Sequence, residues 1–340
     1  MKKFTSAVRN LFPGFLVCLI IALIAQGIAY FVPSVGAALF AIGLGILCGN
    51  TFLNRESFSK GTKFSESRLL EYSIVLTGLT LYLSDIIGVG WQGVLYIVCL
   101  MGLTIFATYF IGKKLGFGRK FSLLMSAGNA VCGSSAIGTV SEVVDADSKD
   151  KGISITIVNV TGTILMVLLP LIAGALYHHD TLRTSGLIGG VLQSIGQVIA
   201  SAKFVNDDVV ELSTIFKIIR IIFLVVVAFT FSKMNMDESK KLFSKRETGK
   251  KSTVSCGIPW FIIGFFLLSI VNSIGFVPEA VSHVAKLVSG QFEIIALAAI
   301  GMRVKFRDLA REGPKAMLYG GMVGATQILC ALLLIAVLFR

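Results

Sequence analysis

The chain has 340 residues, of which 55% are hydrophobic and only 15% charged, and its mean hydropathy is +0.84. This composition excludes a soluble globular domain, and long continuous apolar runs exclude the alternating pattern of a transmembrane β-barrel. The net charge of +12 would suggest nucleic-acid binding in a soluble protein, but most Lys and Arg residues lie in short loops between apolar runs. They are therefore interpreted as orientation signals of an all-α polytopic membrane protein.

Eleven transmembrane spans are predicted in chain order from the apolar runs. They cover about 14–32, 35–50, 69–88, 91–112, 121–143, 152–177, 185–202, 211–232, 257–276, 280–302 and 315–339. Each run is assumed to cross the bilayer once. The seventh is short and rich in glycine, and the tenth contains Gly290 and Glu293, so either could be a broken helix.

Loop charges orient these spans, because cytoplasmic loops are enriched in Lys and Arg. Most of the 31 basic residues fall on one side if the N-terminus is cytoplasmic and the C-terminus outside. This assignment places Lys149 and Lys151 outside and Arg183 inside. The charged segment 233–253 is predicted to be a cytoplasmic linker, since it is too short and polar to form a domain.

Two pairs of segments show weak internal similarity in the same order. "SAGNAVCGSSAIG" (126–138) aligns with "SGQFEIIALAAIG" (289–301), and "GAALFAIGLGI" (36–46) aligns with "GGVLQSIGQVI" (189–199). The pattern predicts two inverted five-span repeats, 35–180 and 181–340, after an extra N-terminal span, 1–34. The alternative is that helices rich in Gly and Ala align through composition alone.

The first of these segments carries polar and small residues where a lipid-facing helix would not. They are Asn129, Cys132, Gly133, Ser134 and Ser135. Glycine permits a break, and short polar side chains cap the helix that follows. A half-helix starting here would direct its N–H groups and positive dipole end at the membrane midplane, which favours anion binding. The alternative is close packing of an unbroken helix.

The aligned segment 289–301 is predicted to hold the second break. It offers Gln291 as a ligand and Glu293 as a carrier of H⁺ or Na⁺, since an intramembrane carboxylate is a functional candidate. The alternative places Glu293 in an outer loop.

Four further polar side chains are predicted to line the substrate site. Lys217 and Arg220 are three residues apart on one helical face, and Arg220 lies near mid-membrane, where a charge needs compensation. Gln193 and Gln197 share a face of the seventh span, with interhelical hydrogen bonding as the alternative. The sequence His178-His179-Asp180 has no third His nearby, so no metal site or cofactor is predicted.

Four motifs together resemble the YeiH-type bacterial inner-membrane proteins, often called sulfate exporters. They are "GNAVCGSSAIGTVSEVV", "GGVLQSIGQVIAS", "FKIIRIIFLVVVAF" and "LAAIGMRVKFRDL". The resemblance implies the superfamily of cation/proton antiporters and bile-acid-type anion transporters, with a panel domain and a core domain in which two broken helices cross. It implies that 128–138 and 290–301 are those helices and that Lys217 and Arg220 are the family's basic pair.

This chain departs from that pattern at two points. Gln193 stands where many relatives have His, and the paired aspartates of the sodium/proton branch are absent. The expected function is a secondary active transporter, an exporter of a small anion such as sulfate, sulfite or a sulfonate, in the bacterial cytoplasmic membrane.

An anion channel and a cation-coupled transporter of another solute stay open as alternatives. An enzyme is not expected, since the spans contain no catalytic Ser-His, paired Asp or HExxH arrangement. The expected partners are the anion, H⁺ or Na⁺, and lipid, not nucleic acid. The oligomeric state stays open, with a homodimer as one candidate.

Overall fold

The computed structural model describes residues 2–31, 36–51, 56–80, 89–235, 260–303 and 313–339, and within these ranges the only regular structure is helical. The predicted all-α polytopic class is confirmed. Six helices of the described chain are long and apolar enough to cross a membrane: Leu11–Phe31, Gly90–Lys114, Lys149–Tyr177, Asp207–Ser232, Glu279–Arg303 and Pro314–Leu338. Most of the predicted linker 233–253 lies outside the described residues.

The chain forms two compact units, and each draws on both halves of the sequence. The first unit comprises Met1–Gly88, Lys203–Asn206 and Pro259–Phe306, and the second comprises the remainder. Each unit thus contains residues of both predicted repeats, 35–180 and 181–340, and the repeats stay a prediction.

The first unit contains six α-helices and a single π-helical turn, Ser65–Leu69, among its described residues. The helices are α1 (Lys2–Phe31), α2 (Gly36–Asn50), α3 (Glu56–Phe64), α4 (Leu70–Thr77), α13 (Trp260–Ser273) and α14 (Glu279–Arg303).

The predicted break at 289–301 is wrong, because α14 continues without interruption from Glu279 to Arg303. Gly301 of this helix allows close packing instead. A Cβ on Gly301 would lie 2.4 Å from the carbonyl oxygen of Ile42, and one on Gly45 would lie 2.4 Å from that of Ala298. Small residues thus bring the backbones of α2 and α14 together, as in many membrane helix pairs.

The second unit contains nine described helices. They are α5 (Gly90–Lys114), α6 (Arg119–Ala130), α7 (Ser134–Val143), α8 (Ser148–Tyr177), α9 (Thr181–Val191), α10 (Ile195–Ala202), α11 (Asp207–Ile222), α12 (Leu224–Ser232) and α15 (Gly313–Leu338).

The predicted break near 126–138 is present, but the chain turns back there instead of continuing across. Lys120, at the start of α6, donates a 2.5 Å hydrogen bond to the carbonyl oxygen of Asp145, just past the end of α7. Further along, a Cβ on Gly128 would lie 2.7 Å from the side chain of Ile137. The two half-helices therefore pack antiparallel, and we call this pair hairpin 1.

Local chemistry explains the reversal in hairpin 1. The N–H of Gly133 bonds to the carbonyl oxygen of Gly128 at 3.0 Å, which closes the end of α6. Gly133 has φ +66° and ψ −125°, a conformation that residues with a Cβ rarely adopt.

Residues 185–202 also form a hairpin. Ser185 on α9 bonds to the carbonyl oxygen of Val209 near the start of α11, and Leu192 accepts a bond from Lys217 further along α11. Helices α9 and α11 therefore run in the same direction, so α10 must return to the end where α9 began. We call α9 and α10 hairpin 2.

Helix α8 connects the two hairpins. It has 30 residues and is about 45 Å long, so its ends lie on opposite sides of the second unit. Hairpin 1 joins its first residue and hairpin 2 its last, so the hairpins enter from opposite ends. Two of the eleven predicted spans, 121–143 and 185–202, accordingly do not cross.

This topology groups three basic residues differently from the prediction. Lys149 and Lys151 begin α8 beside the base of hairpin 1, with Lys113, Lys114 and Lys120, and we call this the basic end of the second unit. Arg183 lies at the opposite end, where it bonds to the carbonyl oxygen of Phe339. The prediction separated Lys149 and Lys151 from Lys120, and grouped Arg183 with Lys120, because it counted each hairpin as one crossing.

Candidate functional site

The turns of the two hairpins meet inside the second unit, and we call residues 131–133 and 192–194 the hairpin tips. A Cβ on Gly133 would lie 3.5 Å from that of Gln193. The amide of Gln193 donates to Asn129 Oδ1 at 3.2 Å. These contacts bring the first predicted site segment against the predicted glutamine.

Arg220 on α11 is 1% exposed and binds the C-terminal ends of both α6 and α9. Nε donates to the carbonyl oxygen of Ala130 at 2.9 Å, and Nη2 donates to that of Asn129 at 2.6 Å. Nη1 reaches the carbonyl oxygens of Gly189, Gly190 and Leu192. All three guanidinium nitrogens are thus engaged by backbone oxygens.

Lys217, one turn earlier, is fully buried and completes this arrangement. Its ammonium group donates to the carbonyl oxygens of Val131 and Leu192, one from each hairpin tip. The last carbonyls of a helix have no partner within that helix and carry partial negative charge. The two cations supply that partner, which explains how broken helices are accommodated inside an apolar unit.

The cations have no acidic counterpart nearby. No carboxylate of the described chain lies within ion-pair distance of Lys217 or Arg220. The guanidinium group of Arg220 stays protonated in proteins, and carbonyl dipoles satisfy its hydrogen bonds without cancelling its charge. The hairpin tips therefore lie beside at least one buried positive charge.

The N-terminus of α7 emerges at the same place without a side-chain cap. Ser134 and Ser135 open the helix, and Ser135 is exposed. Ser134 donates to Asn159 Oδ1 on α8 at 3.2 Å. Cys132 lies in the turn and is half-buried. An uncapped first turn with adjacent hydroxyl groups can donate several hydrogen bonds to an anion.

The second tip is closed by a reciprocal cap. Ser194 Oγ accepts from the N–H of Gln197 at 3.2 Å, and Gln197 Oε1 accepts from the N–H of Ser194 at 3.1 Å. This is a capping box, and the spacing Ser-x-x-Gln was visible in the sequence although Ser194 was not predicted. Gln197 also donates to the carbonyl oxygen of Asn159 at 3.3 Å.

Gln327 on α15 belongs to the site and was missed. It donates to the carbonyl oxygen of Asn129 at 3.0 Å and accepts from the amide of Gln193 at 3.3 Å. An amide in the middle of the last apolar run was the available signal. Gly162 on α8 was also missed; a Cβ there would lie 2.6 Å or less from the amides of Gln193 and Gln197.

Two predicted site residues belong to the first unit. Gln291 exchanges amide hydrogen bonds with Gln26 of α1, at 2.8 and 3.3 Å. Glu293 is buried on α14 and lies 3.5 Å from the ammonium group of Lys203. The structure groups the other nine predicted residues in the second unit.

Comparison with known proteins identifies the family of the chain. A family profile described as "Conserved hypothetical protein 698" matches residues 13–320. The chain belongs to this family. A UPF0324 membrane protein of Clostridium perfringens is 57% identical over 100% of the chain and 99% of its own length. UPF0324 membrane proteins of Lactiplantibacillus plantarum and Lactococcus lactis are 43% and 40% identical, over 98% and 97% of the chain and 99% and 100% of their own lengths. No solved structure matches.

Family membership confirms the resemblance to the YeiH-type proteins. The relatives are named membrane proteins and come from bacteria. With the six long apolar helices, this makes the chain a multi-pass membrane protein of the UPF0324 family.

Proposed function

We propose that this UPF0324 protein is a secondary active transporter that binds a small anion at the hairpin tips. The observation that carries the proposal is the meeting of two helical hairpins from opposite ends of the second unit. Interrupted helices that meet at mid-depth supply backbone groups for a solute that a continuous helix cannot offer. Alternating access requires that such a site open first to one side of the membrane and then to the other.

The charge of the tips favours an anion. Lys217 and Arg220 bring two positive charges, and α7 adds the positive end of its dipole. Because both cations are occupied by carbonyl oxygens, we assign them the positioning of the half-helices and a long-range attraction. Direct contacts are assigned to Ser134, Ser135 and the first N–H groups of α7.

Hydroxyl and N–H donors suit an oxyanion, and sulfate, sulfite or an organic sulfonate is the proposed substrate class. The basic end of the second unit is proposed to face the cytoplasm, which places the C-terminus outside, and the basic N-terminus is proposed to be cytoplasmic by its own charges. Glu293, paired with Lys203, is the proposed coupling carboxylate for H⁺ or Na⁺.

Ser135→Ala tests the proposal in purified protein and proteoliposomes. Thr326→Ala is the matched control, since its hydroxyl is exposed but bonds only within α15. We expect sulfate, sulfite or a sulfonate to raise the melting temperature of the wild type and the control, and Ser135→Ala to weaken that stabilisation.

Flux should saturate with anion concentration, whereas a channel would give flux that rises in proportion to concentration. If no small anion stabilises the wild type or crosses the membrane with it, the proposal is wrong. If Ser135→Ala and Ser134→Ala bind the anion like the wild type, the site lies elsewhere.

A further inference from the structure

One face of α7 is accessible along its whole length and carries no large apolar side chain. The accessible positions of α7 after Ser134 are Ser135, Gly138, Thr139 and Glu142, whose spacing places them on one side of the helix. The remaining positions, Ala136, Ile137, Val140, Ser141 and Val143, are buried. No large apolar residue of α7 is exposed, as it would be on a helix that faces lipid.

Helix α8 continues this face and then changes character. In its first half, Gly152, Thr156, Asn159 and Thr163 form an accessible face, and the apolar Ile153 and Ile155 are half-buried. In its second half, the exposed side chains are apolar, among them Ile164, Val167, Leu168 and Leu171.

The change on α8 occurs at the depth of the hairpin tips. Asn159 contacts Ser134 and Gln197, and Gly162 faces the amides of Gln193 and Gln197. An exposed asparagine at this depth is costly in hydrocarbon but not in water. The surface is therefore wet from the basic end to the tips and lipid-facing beyond them.

Hairpin 2 has no matching face. Every residue of α10 from Gly196 to Ala202 is buried. The two hairpins are thus alike in topology and unlike in access, so the tips can be reached from only one end of the second unit.

We infer that the polar face of α7 and α8 is a water-filled passage through which a hydrophilic anion reaches the hairpin tips from the cytoplasm. The passage starts at the basic end, where five lysines outnumber Asp145, Asp147 and Asp150, passes Glu142, and ends at the uncapped start of α7. This inference rests on the proposed function for the identity of the solute and for the membrane side that the basic end faces. The structure is accordingly the state open to the side of the basic loops, which suits loading for export.

Cysteine accessibility in the full-length protein tests this passage. Thr139→Cys and Thr156→Cys report on the polar face. Leu168→Cys is the lipid-facing control on α8, and Ser201→Cys is the buried control on α10. A membrane-impermeant maleimide is applied to intact cells and, separately, to inside-out vesicles, and each site is scored by mass spectrometry. The native Cys18, which is fully buried, serves as an internal unlabelled reference in every variant.

We expect positions 139 and 156 to be labelled in inside-out vesicles at least about tenfold faster than 168 and 201, because only a hydrated thiol ionises and reacts readily. Intact cells should protect 139 and 156. Equal labelling of 156 and 168, or faster labelling from outside, would overturn the inference. If Thr139→Cys does not assemble, Thr156→Cys alone decides.

Failure of the passage and failure of the proposed function are distinguishable. The labelling pattern depends on water access and needs no transport, whereas anion stabilisation needs no cysteine. If the cysteines are labelled as expected but no anion stabilises the protein, the passage is supported and the proposed substrate class is wrong. If an anion stabilises the protein but positions 139 and 156 are not labelled, the substrate class is supported and the passage is wrong.

Discussion

Lys120 and Asp145 are 25 residues apart in sequence, yet the lysine ammonium lies 2.5 Å from the aspartate carbonyl oxygen. If α6 and α7 continued in one direction, the two residues would be separated by about 37 Å, far beyond the reach of a lysine side chain. The pair therefore establishes that hairpin 1 returns to the end from which it entered.

A cross-link tests this reversal. Lys120→Cys combined with Asp145→Cys should be joined by a short bifunctional maleimide within one chain, detected as a linked peptide. Lys120→Cys combined with Arg183→Cys is the control, since Arg183 lies at the opposite end of the second unit. If the control pair is cross-linked instead, residues 121–143 cross the bilayer and hairpin 1 does not exist.

Removal of the Arg220 side chain should destabilise the protein more than removal of Lys217. Arg220 holds carbonyl oxygens from five residues and Lys217 from two, and each bond to a charged donor contributes about 1.5–3 kcal/mol. We expect Arg220→Met to be largely aggregated in detergent, Lys217→Met to show a lowered melting temperature, and Arg220→Lys to be intermediate, because an ammonium group lacks the planar fork. Size-exclusion chromatography and thermal unfolding measure the order. Equal stability of Arg220→Met and wild type would contradict the positioning role.

Gly133→Ala should strain the tip of hairpin 1. Its backbone combination of φ and ψ costs a residue with a Cβ about 1–3 kcal/mol. Gly138→Ala is the control, since this glycine is on α7, lacks a positive φ and has open space around its Cβ position. Thermal unfolding should show a lower melting temperature for Gly133→Ala and an unchanged or higher one for Gly138→Ala. A neutral Gly133→Ala would mean that the tip adopts another conformation.

Gly162→Ala should disturb ligand binding more than folding. The added methyl group would overlap the amides of Gln193 and Gln197, whose flexible side chains can move away. We expect a modest loss of melting temperature and a large loss of anion-induced stabilisation. Gly102→Ala, a helical position with nothing near its Cβ, should retain both. If the two variants bind the anion equally, the glutamine pair does not shape the site.

The Lys203–Glu293 pair of the first unit can be tested by charge exchange. Glu293→Lys should lower the melting temperature through repulsion of Lys203, and the double variant Lys203→Glu with Glu293→Lys should recover part of the loss. Glu293→Gln distinguishes this effect on stability from a role in ion coupling. We expect this variant to fold, and its anion flux to lose any dependence on pH or Na⁺. Retained dependence in Glu293→Gln would remove this residue as the coupling group.

The internal similarity of 126–138 and 289–301 shows where sequence reasoning failed. Both segments contain Gly and Ala in an apolar setting, and the same glycines permit either a break or close packing. In the first segment Asn129, Ser134 and Gly133 accompany a turn, whereas Gly301 packs against the backbone of α2. The second tip instead lies at 192–194, in the segment that was aligned with the unbroken α2.

The sequence by itself determined the membrane class, the family, the break at Gly133 and the unusual buried pair Lys217 and Arg220, because hydropathy, glycine and intramembrane charge are local properties. Tertiary structure alone decided that the chain reverses at both breaks and that Glu293 belongs to another unit. It also decided which carbonyl oxygens bind the two cations, namely those of Asn129, Ala130, Val131, Gly189, Gly190 and Leu192. A helix that ends in an apolar region must find partners for its last carbonyls, and residues about 90 positions away in sequence supply them here.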